Sequence, residues 1–232
     1  MKAKPTARPP AQESAVPADK RVLIVDDHPL LRMGLAESLA REECLTVCGA
    51  FGTAEEAMTA VERLHPDVVV TDLNLPGKSG LELIKDLAAL RPGLPVIALS
   101  MHDEDIYAER CLRAGGRGYV MKNEGPEKLA DAIRYVLGGG TYVSAKTAGR
   151  ILDIFTGHGT QDKHSPLGRL TDREFEVFQW IGHGLSTQEL ADRMHVSPKT
   201  VETHRMHIKT KLEIGTAAEL IAYAARWVMA TG

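Results

Sequence analysis

The chain has 232 residues, of which 44% are hydrophobic and 25% charged, and its three cysteines match neither a disulfide framework nor a zinc-binding pattern. No apolar run approaches the roughly 18 residues of a membrane span, and the cations near the N-terminus lack the apolar core of a secretory signal, so we expect a cytoplasmic protein with no membrane partner. The net charge of −3 is unevenly distributed, because residues 20–143 hold 14 basic and 19 acidic residues whereas residues 169–232 hold eight of each.

Residues 1–19 are rich in proline and alanine, a composition typical of a disordered extension. Residues 20–143 alternate between segments of helical periodicity and short apolar runs, which are RVLIV, LTVCGAF, DVVVT, LPVIALS and GYVM. These runs lack a period of two, which is typical of strands that are buried on both faces. Five such strand–helix units predict an α/β domain in which helices cover both faces of a parallel sheet.

Residues 144–168 interrupt this alternation and are predicted to be a linker, with one short helix in AGRILDIF and a flexible stretch in TGHGTQDKHSPLG. Residues 169–232 show only helical signals and are predicted to form a small all-α domain. Capping boxes indicate where several helices of the chain begin. They pair Thr53 with Glu56, Thr171 with Glu174, and Ser186 with Glu189.

Polar side chains lie at the points where the predicted strands end. Asp26 and Asp27 follow the first strand, Asp72 follows the third, and Ser100 and Lys122 end the fourth and fifth. The carboxyl ends of parallel strands meet at one edge of a sheet, where open α/β sheets bind their ligands. We therefore expect these five groups at one rim, although Asp72 taken alone is compatible with a turn residue, a metal ligand or a nucleophile.

Three carboxylates at one rim repel each other, and a hard divalent cation such as Mg²⁺ would offset that repulsion. The sequence therefore predicts a Mg²⁺ site formed by Asp26, Asp27 and Asp72, which we expect the backbone carbonyl of Asn74 to complete. Mg²⁺ commonly bridges a carboxylate to a phosphate, and Lys122 adds a positive charge suited to a phosphate oxygen. Asp72 is then the candidate nucleophile that attacks phosphorus and becomes an aspartyl phosphate.

The segments VLIVDDHPLLRMGL, PDVVVTDLNLPGKSGLEL, VIALSMHDED and GYVMKNE resemble the receiver domain of two-component response regulators. The resemblance implies a flavodoxin-like, doubly wound sheet with strand order 2-1-3-4-5. It also implies that a sensor histidine kinase donates a phosphoryl group to Asp72, with Asp26 and Asp27 as metal-binding acids. The residues that match the family's switch and phosphate-sensing positions are Ser100, Tyr119 and Lys122.

The all-α segment from Leu170 to Leu212 has the layout of a helix-turn-helix motif. On a helical wheel, Val201, Ile208 and Leu212 share one face of the last helix of the motif and are predicted to face the core. Residues 199–211 contain four cations and one acid, so the other face is predicted to bind DNA. The candidate DNA-binding residues are Lys199, Thr200, Glu202, Thr203, Arg205, Met206, Lys209 and Lys211.

These candidates suit different parts of DNA. The lysines are suited to phosphate groups, and Arg205, nearer the core edge of the helix, is a further candidate for the phosphate backbone. Glu202 is suited to a cytosine amino group, and Thr203 or Met206 to a thymine methyl group. An amphipathic helix with a solvated charged face would be the alternative if this helix stood alone.

The segments LTDREFEVF, GLSTQELA, VSPKTVETHRMHI and KL resemble the LuxR-type helix-turn-helix over residues 170–227. Together with the receiver, they resemble the NarL/FixJ class of transcriptional regulators, which implies a non-enzymatic homodimer on inverted DNA half-sites. The chain departs from that pattern in EIGTAAEL, where the family often has a basic residue before Glu-Leu. The last helix, residues 217–228, would support dimerisation in the family, and plain packing against the domain core is the alternative.

Two other functions remain open from the sequence. An aspartate-nucleophile phosphatase also places an aspartate at a strand end, but its motif is Asp-x-Asp, and the third position here is Asn74. A dimeric regulator that works without phosphorylation would not need the five polar groups at the strand ends. The cognate kinase and the target genes do not follow from the sequence.

Overall fold

A computed structural model describes residues 19–101, 104–156 and 166–231 of the chain. The strands are β1 (Lys20–Val25), β2 (Leu45–Phe51), β3 (Val68–Thr71), β4 (Val96–Ser100) and β5 (Gly118–Met121). The helices of the sheet domain are α1 (Pro29–Leu39), α2 (Ala54–Leu64), α3 (Gly80–Leu90), α4 (Glu104–Arg113) and α5 (Pro126–Leu137). The later helices are α6 (Ala145–Thr156), α7 (Asp172–Gly182), α8 (Thr187–Arg193), α9 (Pro198–Leu212) and α10 (Ala217–Thr231).

The strands form one parallel sheet in the order β2-β1-β3-β4-β5, which confirms the predicted fold class. Successive strand residues face opposite sides of the sheet, and both sides are buried. Leu23 and Val25 pack with α2, α3 and α4, whereas Val22 and Ile24 pack with α1 and α5. This double burial explains why the strand sequences are continuously apolar.

The outer edge of β5 is covered by backbone from the segment that follows α5. The Tyr119 N–H donates to the Tyr142 carbonyl at 2.8 Å, and the Tyr142 N–H donates to the Arg117 carbonyl at 2.9 Å. Tyr142 thereby extends the sheet by a single parallel bridge to Gly118. The Tyr119 N–H and the Arg117 carbonyl on this edge are therefore paired within the chain.

Side-chain caps begin the helices largely as predicted. The boxes of Thr171 with Glu174 and of Ser186 with Glu189 are both complete. At α2 the prediction was half wrong: the Thr53 side chain accepts from the Glu56 N–H, but the Glu56 carboxylate accepts from the Gly52 N–H at 3.1 Å. Glu56 thus caps the residue before the N-cap rather than the N-cap itself.

The helical domain packs α7, α9 and α10 closely together. Val201 and Ile208 of α9 are buried in the domain core, as the helical wheel predicts. A Cβ on Gly182 would lie 2.5 Å from Val228 Cγ2 and 2.6 Å from the Ala224 carbonyl oxygen. Gly182, which the sequence marks only as a break, therefore lets α10 approach the end of α7.

The predicted linker contains the helix α6, which packs against α4. Of the stretch TGHGTQDKHSPLG, predicted to be flexible, residues 157–165 lie outside the described residues, as do residues 1–18 of the predicted extension. The prediction was wrong for its end, because Pro166–Arg169 form a 3-10 helix in which Leu167 is buried. The domain limits at residues 19, 143 and 168 stay predictions. Within the described ranges, none of the helices has the length and apolar character needed to cross a membrane.

The helical domain is docked on the sheet domain through α7. The buried Tyr107 hydroxyl of α4 donates to Gln179 Oε1, and the Tyr107 ring lies 5.6 Å from the Phe175 ring in an edge-on arrangement. Arg110 of α4 donates to the Leu167 carbonyl at 3.1 Å, and its guanidinium lies 4.1 Å from the centroid of the Phe175 ring. One buried cluster thus continues from the sheet domain into the helical domain.

Charged groups surround this docking contact. Asp172 at the start of α7 lies 2.6 Å from the Lys85 ammonium and 3.1 Å from the Arg110 guanidinium. Arg173 donates to the carbonyl of Gly77, in the loop that follows β3. The helical domain therefore touches α3, α4 and the β3–α3 loop.

Candidate functional site

A lysine whose side chain is only 7% exposed lies between two carboxylates at the carboxyl end of the sheet. Lys122 Nζ is 2.7 Å from Asp26 Oδ2 and 2.7 Å from Asp72 Oδ2. Val25 pairs with Thr71 across β1 and β3, so the aspartates that follow these two residues lie side by side. The Asp72 N–H continues the ladder by donating to the Val25 carbonyl at 2.8 Å.

The charges of this group are set by burial and by each other. Burial raises the pKa of Asp72 from 3.8 to about 6, although the Lys122 ammonium opposes the rise. Burial alone would lower the pKa of Lys122, but the two neighbouring carboxylates outweigh burial and raise it. Above pH 6 the site therefore holds an ionised Asp72 beside a protonated Lys122, which suits a carboxylate nucleophile next to a phosphate-binding cation.

The acidic side of the site extends over Asp27, His28 and Asn74. Atoms of Asp26, Asp27, His28 and Asp72 that are able to bind a metal all lie within 4.8 Å of one another. Asp26 Oδ2 lies 2.7 Å from the Lys122 ammonium, and Asp27 Oδ1 lies 2.7 Å from His28 Nδ1. The Asn74 N–H donates to Asp72 Oδ1 at 3.2 Å, so its backbone adjoins the same carboxylate. Clustered carboxylate oxygens fit a hard divalent cation.

The two predicted switch residues are buried near this rim. Ser100 is fully buried and pairs in register with Met121, the residue before Lys122. Tyr119 is 2% exposed and belongs to the buried cluster that also contains Tyr107 of α4. Tyr119 is thus connected, through packed side chains, to the helix on which α7 docks.

The candidate DNA-reading side chains lie along the outer face of α9. Glu202, Thr203 and Lys199 are exposed, and Met206 is 54% exposed. Thr200 is half-buried, and its N–H donates to the Ser197 N-cap hydroxyl. These positions agree with a helix that has one face in the core and one face open to a ligand.

Glu202 and two further candidates are involved in contacts within the domain. Thr187 at the start of α8 donates to Glu202 Oε1 at 2.7 Å and accepts from Arg205 Nη1 at 2.9 Å. Lys211 Nζ donates to Glu174 Oε2 at 2.6 Å. This lysine and the Thr171 cap lower the pKa of Glu174 against the effect of burial. Lys211 therefore joins α9 to α7, whatever it contributes to DNA binding.

Sequence reasoning missed His28 and Thr187. His28 directly follows Asp26 and Asp27 in the chain, and this adjacency was the available signal. Its Nδ1 atom lies 2.7 Å from Asp27 Oδ1. Thr187 had no such signal, because its partners on α9 are 15 and 18 residues away.

Two family models match the chain, the response regulator receiver domain over residues 22–134 and the luxR family of bacterial regulatory proteins over residues 168–224. The response regulator GacA of Pseudomonas viridiflava is 36% identical over 206 residues, which cover 89% of this chain and 95% of GacA. The chain belongs to the response regulators with a LuxR-type DNA-binding domain. It is thus a transcription regulator of the NarL/FixJ class.

Other response regulators have the same two-part architecture. The oxygen regulatory protein NreC of Staphylococcus haemolyticus is 35% identical, with 88% of this chain and 96% of NreC covered. A structure of the Salmonella typhimurium response regulator RcsB superposes with a TM-score of 0.63 at 25% identity, covering 90% of this chain and 98% of RcsB. RcsB bound to the promoter rprA with the phosphomimetic BeF3⁻ superposes with a TM-score of 0.59 at 27% identity, covering 89% and 98%.

Proposed function

We propose that this response regulator accepts a phosphoryl group on Asp72 from the phosphohistidine of a sensor histidine kinase. A carboxylate oxygen of Asp72 forms the new P–O bond while the P–N bond to the donor histidine breaks, and the released imidazole takes up a proton. The observation that supports this most strongly is the position of Lys122, 2.7 Å from the carboxylates of both Asp72 and Asp26. Lys122 is placed to bind a phosphoryl oxygen as charge develops on it.

We propose that Asp26, Asp27 and Asp72 hold Mg²⁺, with the backbone carbonyl of Asn74 as a further ligand. When bound, Mg²⁺ would neutralise the charge of the phosphoryl group as it approaches three carboxylates. The close approach of these carboxylates, whose metal-binding atoms lie within 4.8 Å of one another, supports this assignment.

After phosphorylation, the roughly two negative charges of the phosphate would attract Lys122 and the Ser100 hydroxyl. We propose that Ser100 moves towards the phosphate and that Tyr119 follows it, which changes the packing under α4. This is a local charge event that biases a two-state element. The assignment divides the chain into a receiver of residues 20–143, a linker of residues 144–168 and a DNA-binding domain of residues 169–232.

We propose that the active form is a homodimer that binds inverted DNA half-sites through α9. The RcsB structure on promoter DNA in the presence of BeF3⁻ supports this output for a relative of the same architecture. Phosphates would be bound by Lys199, Lys209, Lys211 and Arg205, and bases by Thr200, Glu202, Thr203 and Met206. Such a protein works where the chromosome is, so we propose a cytoplasmic location.

The test compares wild type, Asp72→Asn and the control Asp67→Asn, each treated with Mg²⁺ and beryllofluoride. Asp67 lies at the opposite end of β3 from Asp72, where it pairs with Lys20. Wild type and Asp67→Asn should dimerise and bind DNA more tightly after treatment, whereas Asp72→Asn should not respond. Sedimentation and a DNA-binding titration provide the two measurements. An equal response of all three proteins would contradict the assignment of Asp72.

The same proteins distinguish the alternative functions. Full DNA binding by untreated Asp72→Asn would favour a regulator that works without phosphorylation. Continuous release of inorganic phosphate from a phosphate ester would favour an aspartate-nucleophile phosphatase. We propose instead that the protein is not an enzyme, because Asn74 replaces the second acid of the phosphatase motif.

A further inference from the structure

His28 is the N-cap residue of α1, yet its side chain makes no hydrogen bond to that helix. The ring is directed towards the acids instead, with Nδ1 2.7 Å from Asp27 Oδ1 and 3.3 Å from Asp26 Oδ1. The backbone N–H of His28 donates to Asp26 Oδ1 at 2.8 Å, which fixes the start of the side chain beside that carboxylate. A residue type that is uncommon as an N-cap is therefore placed against a predicted metal site.

The distances match those between neighbouring ligands of one metal ion. Two adjacent ligands of an octahedral ion with bonds of roughly 2.1 Å lie roughly 3.0 Å apart. The separations of His28 Nδ1 from the two aspartate oxygens lie on either side of that value. Asp26 is 1% exposed, and the metal-binding atoms of Asp26, Asp27, His28 and Asp72 all lie within 4.8 Å of one another.

An imidazole ligand changes which cations a site prefers. Mg²⁺ favours oxygen ligands and retained water, whereas Mn²⁺, Co²⁺, Ni²⁺ and Zn²⁺ accept imidazole nitrogen, with affinities that rise towards the end of the series. The His28 side chain is 66% exposed, so a hydrated cation reaches the ring without any opening of the fold.

We infer that His28 Nδ1 is a metal ligand that gives this site additional affinity for late first-row divalent cations, while Mg²⁺ uses the oxygen ligands alone. The inference rests on the proposed carboxylate metal site and adds a nitrogen ligand and a cation class to it. A response regulator with this ligand set would be loaded by Ni²⁺ or Zn²⁺ at lower free concentrations than an all-oxygen site requires.

The test is calorimetric titration of the full chain with Mg²⁺ and with Ni²⁺. His28→Ser keeps a favourable N-cap, and His28→Ala also removes the oxygen that serine would offer. Both variants should lose about 10-fold or more in Ni²⁺ affinity at this site and less than about 2-fold in Mg²⁺ affinity. The control His183→Ala removes an exposed histidine of the helical domain and should change neither affinity.

A second measurement detects the nitrogen ligand directly. Pulsed electron paramagnetic resonance of Mn²⁺-loaded wild type should show nitrogen modulation, which both His28 variants should lose. Equal losses of Mg²⁺ and Ni²⁺ affinity would overturn the inference, because His28 would then only orient Asp27. An unchanged Ni²⁺ affinity would also overturn it. If wild type binds no Mg²⁺ and Asp27→Asn changes nothing, the proposed carboxylate site itself fails, which is a separate result.

Discussion

Gly80, the first residue of α3, is packed against the backbone of the proposed phosphoacceptor. A Cβ at this position would lie 1.9 Å from the Asp72 carbonyl oxygen and 2.8 Å from both the Asp72 carbonyl carbon and Leu73 Cα. Carbon and carbonyl oxygen approach ordinarily to roughly 3.3 Å, so Gly80→Ala requires the two backbones to separate by about 1.4 Å.

The surrounding structure resists that separation. The Gly80 N–H donates to the Leu73 carbonyl at 2.9 Å, and the Thr71 hydroxyl donates to the Asp72 carbonyl at 2.9 Å. Overpacking at a rigid position costs about 1–3 kcal/mol, and contact with backbone favours the upper end, so we expect Gly80→Ala to lower the free energy of unfolding by about 3 kcal/mol. The displaced Asp72 carboxylate should also accept phosphate more slowly, because a small misplacement of a nucleophile is costly.

The assay follows urea unfolding by far-UV circular dichroism and by tryptophan fluorescence. Both tryptophans, Trp180 and Trp227, lie in the helical domain, so the receiver is followed by the dichroism. The control is Gly34→Ala on α1, where a Cβ would meet nothing within 4 Å. It should raise stability by about 0.5–1 kcal/mol. A Gly80→Ala protein with wild-type stability and phosphorylation rate would refute the steric argument.

Three further predictions concern charge. Folding favours the protonated form of Asp72, because the pKa of Asp72 in the folded chain, about 6, exceeds the ordinary 3.8. The contribution of Asp72 to the free energy of unfolding is therefore complete below pH 3.8 and is lost as the pH rises through 6. In metal-free buffer near neutral pH, Asp72→Asn should therefore unfold at a higher urea concentration than wild type. If this difference in urea midpoint did not shrink on acidification, the pKa argument would be wrong. Lys209→Ala should weaken binding to every DNA sequence alike, and the slope of log binding constant against log salt concentration should become shallower by about one unit. An effect limited to one DNA sequence would disprove a phosphate contact. Arg110→Ala should loosen the docking of α7 and raise the radius of gyration in X-ray scattering. Arg113→Ala, which among the described residues loses a pair with Glu109 in the same helix, should not.

The receiver was predictable from the sequence because its strands are buried on both faces. A short, valine-rich apolar run bounded by turn residues, such as the one before Asp72, is typical of a strand buried on both faces, and the strand end then fixes the rim on which the acid lies. The neighbours Asp26 and Lys122 follow from the same rule, applied to β1 and β5. No such rule determines that Lys122 contacts both carboxylates, which depends on strand register and side-chain geometry.

Contacts between distant segments were not predictable. The helical wheel places Lys211 off the core face of α9, but it does not show that Glu174, 37 residues earlier, accepts its hydrogen bond. Tyr107 and Gln179 are 72 residues apart on helices whose apolar faces could each have packed elsewhere.

One helix end was also not predictable. His195, with φ of 53°, has a left-handed backbone just after α8, at a position that glycine usually occupies.

The pairing of Tyr142 along β5 limits how copies of this protein meet. An open sheet edge is a template on which a strand from another molecule can add, and many proteins guard such edges with lysine or proline. Here Tyr142 uses the Tyr119 N–H and the Arg117 carbonyl, so a strand of a second copy finds these groups occupied. A backbone ladder between two copies is therefore blocked at these two groups, and contact there depends on side chains instead.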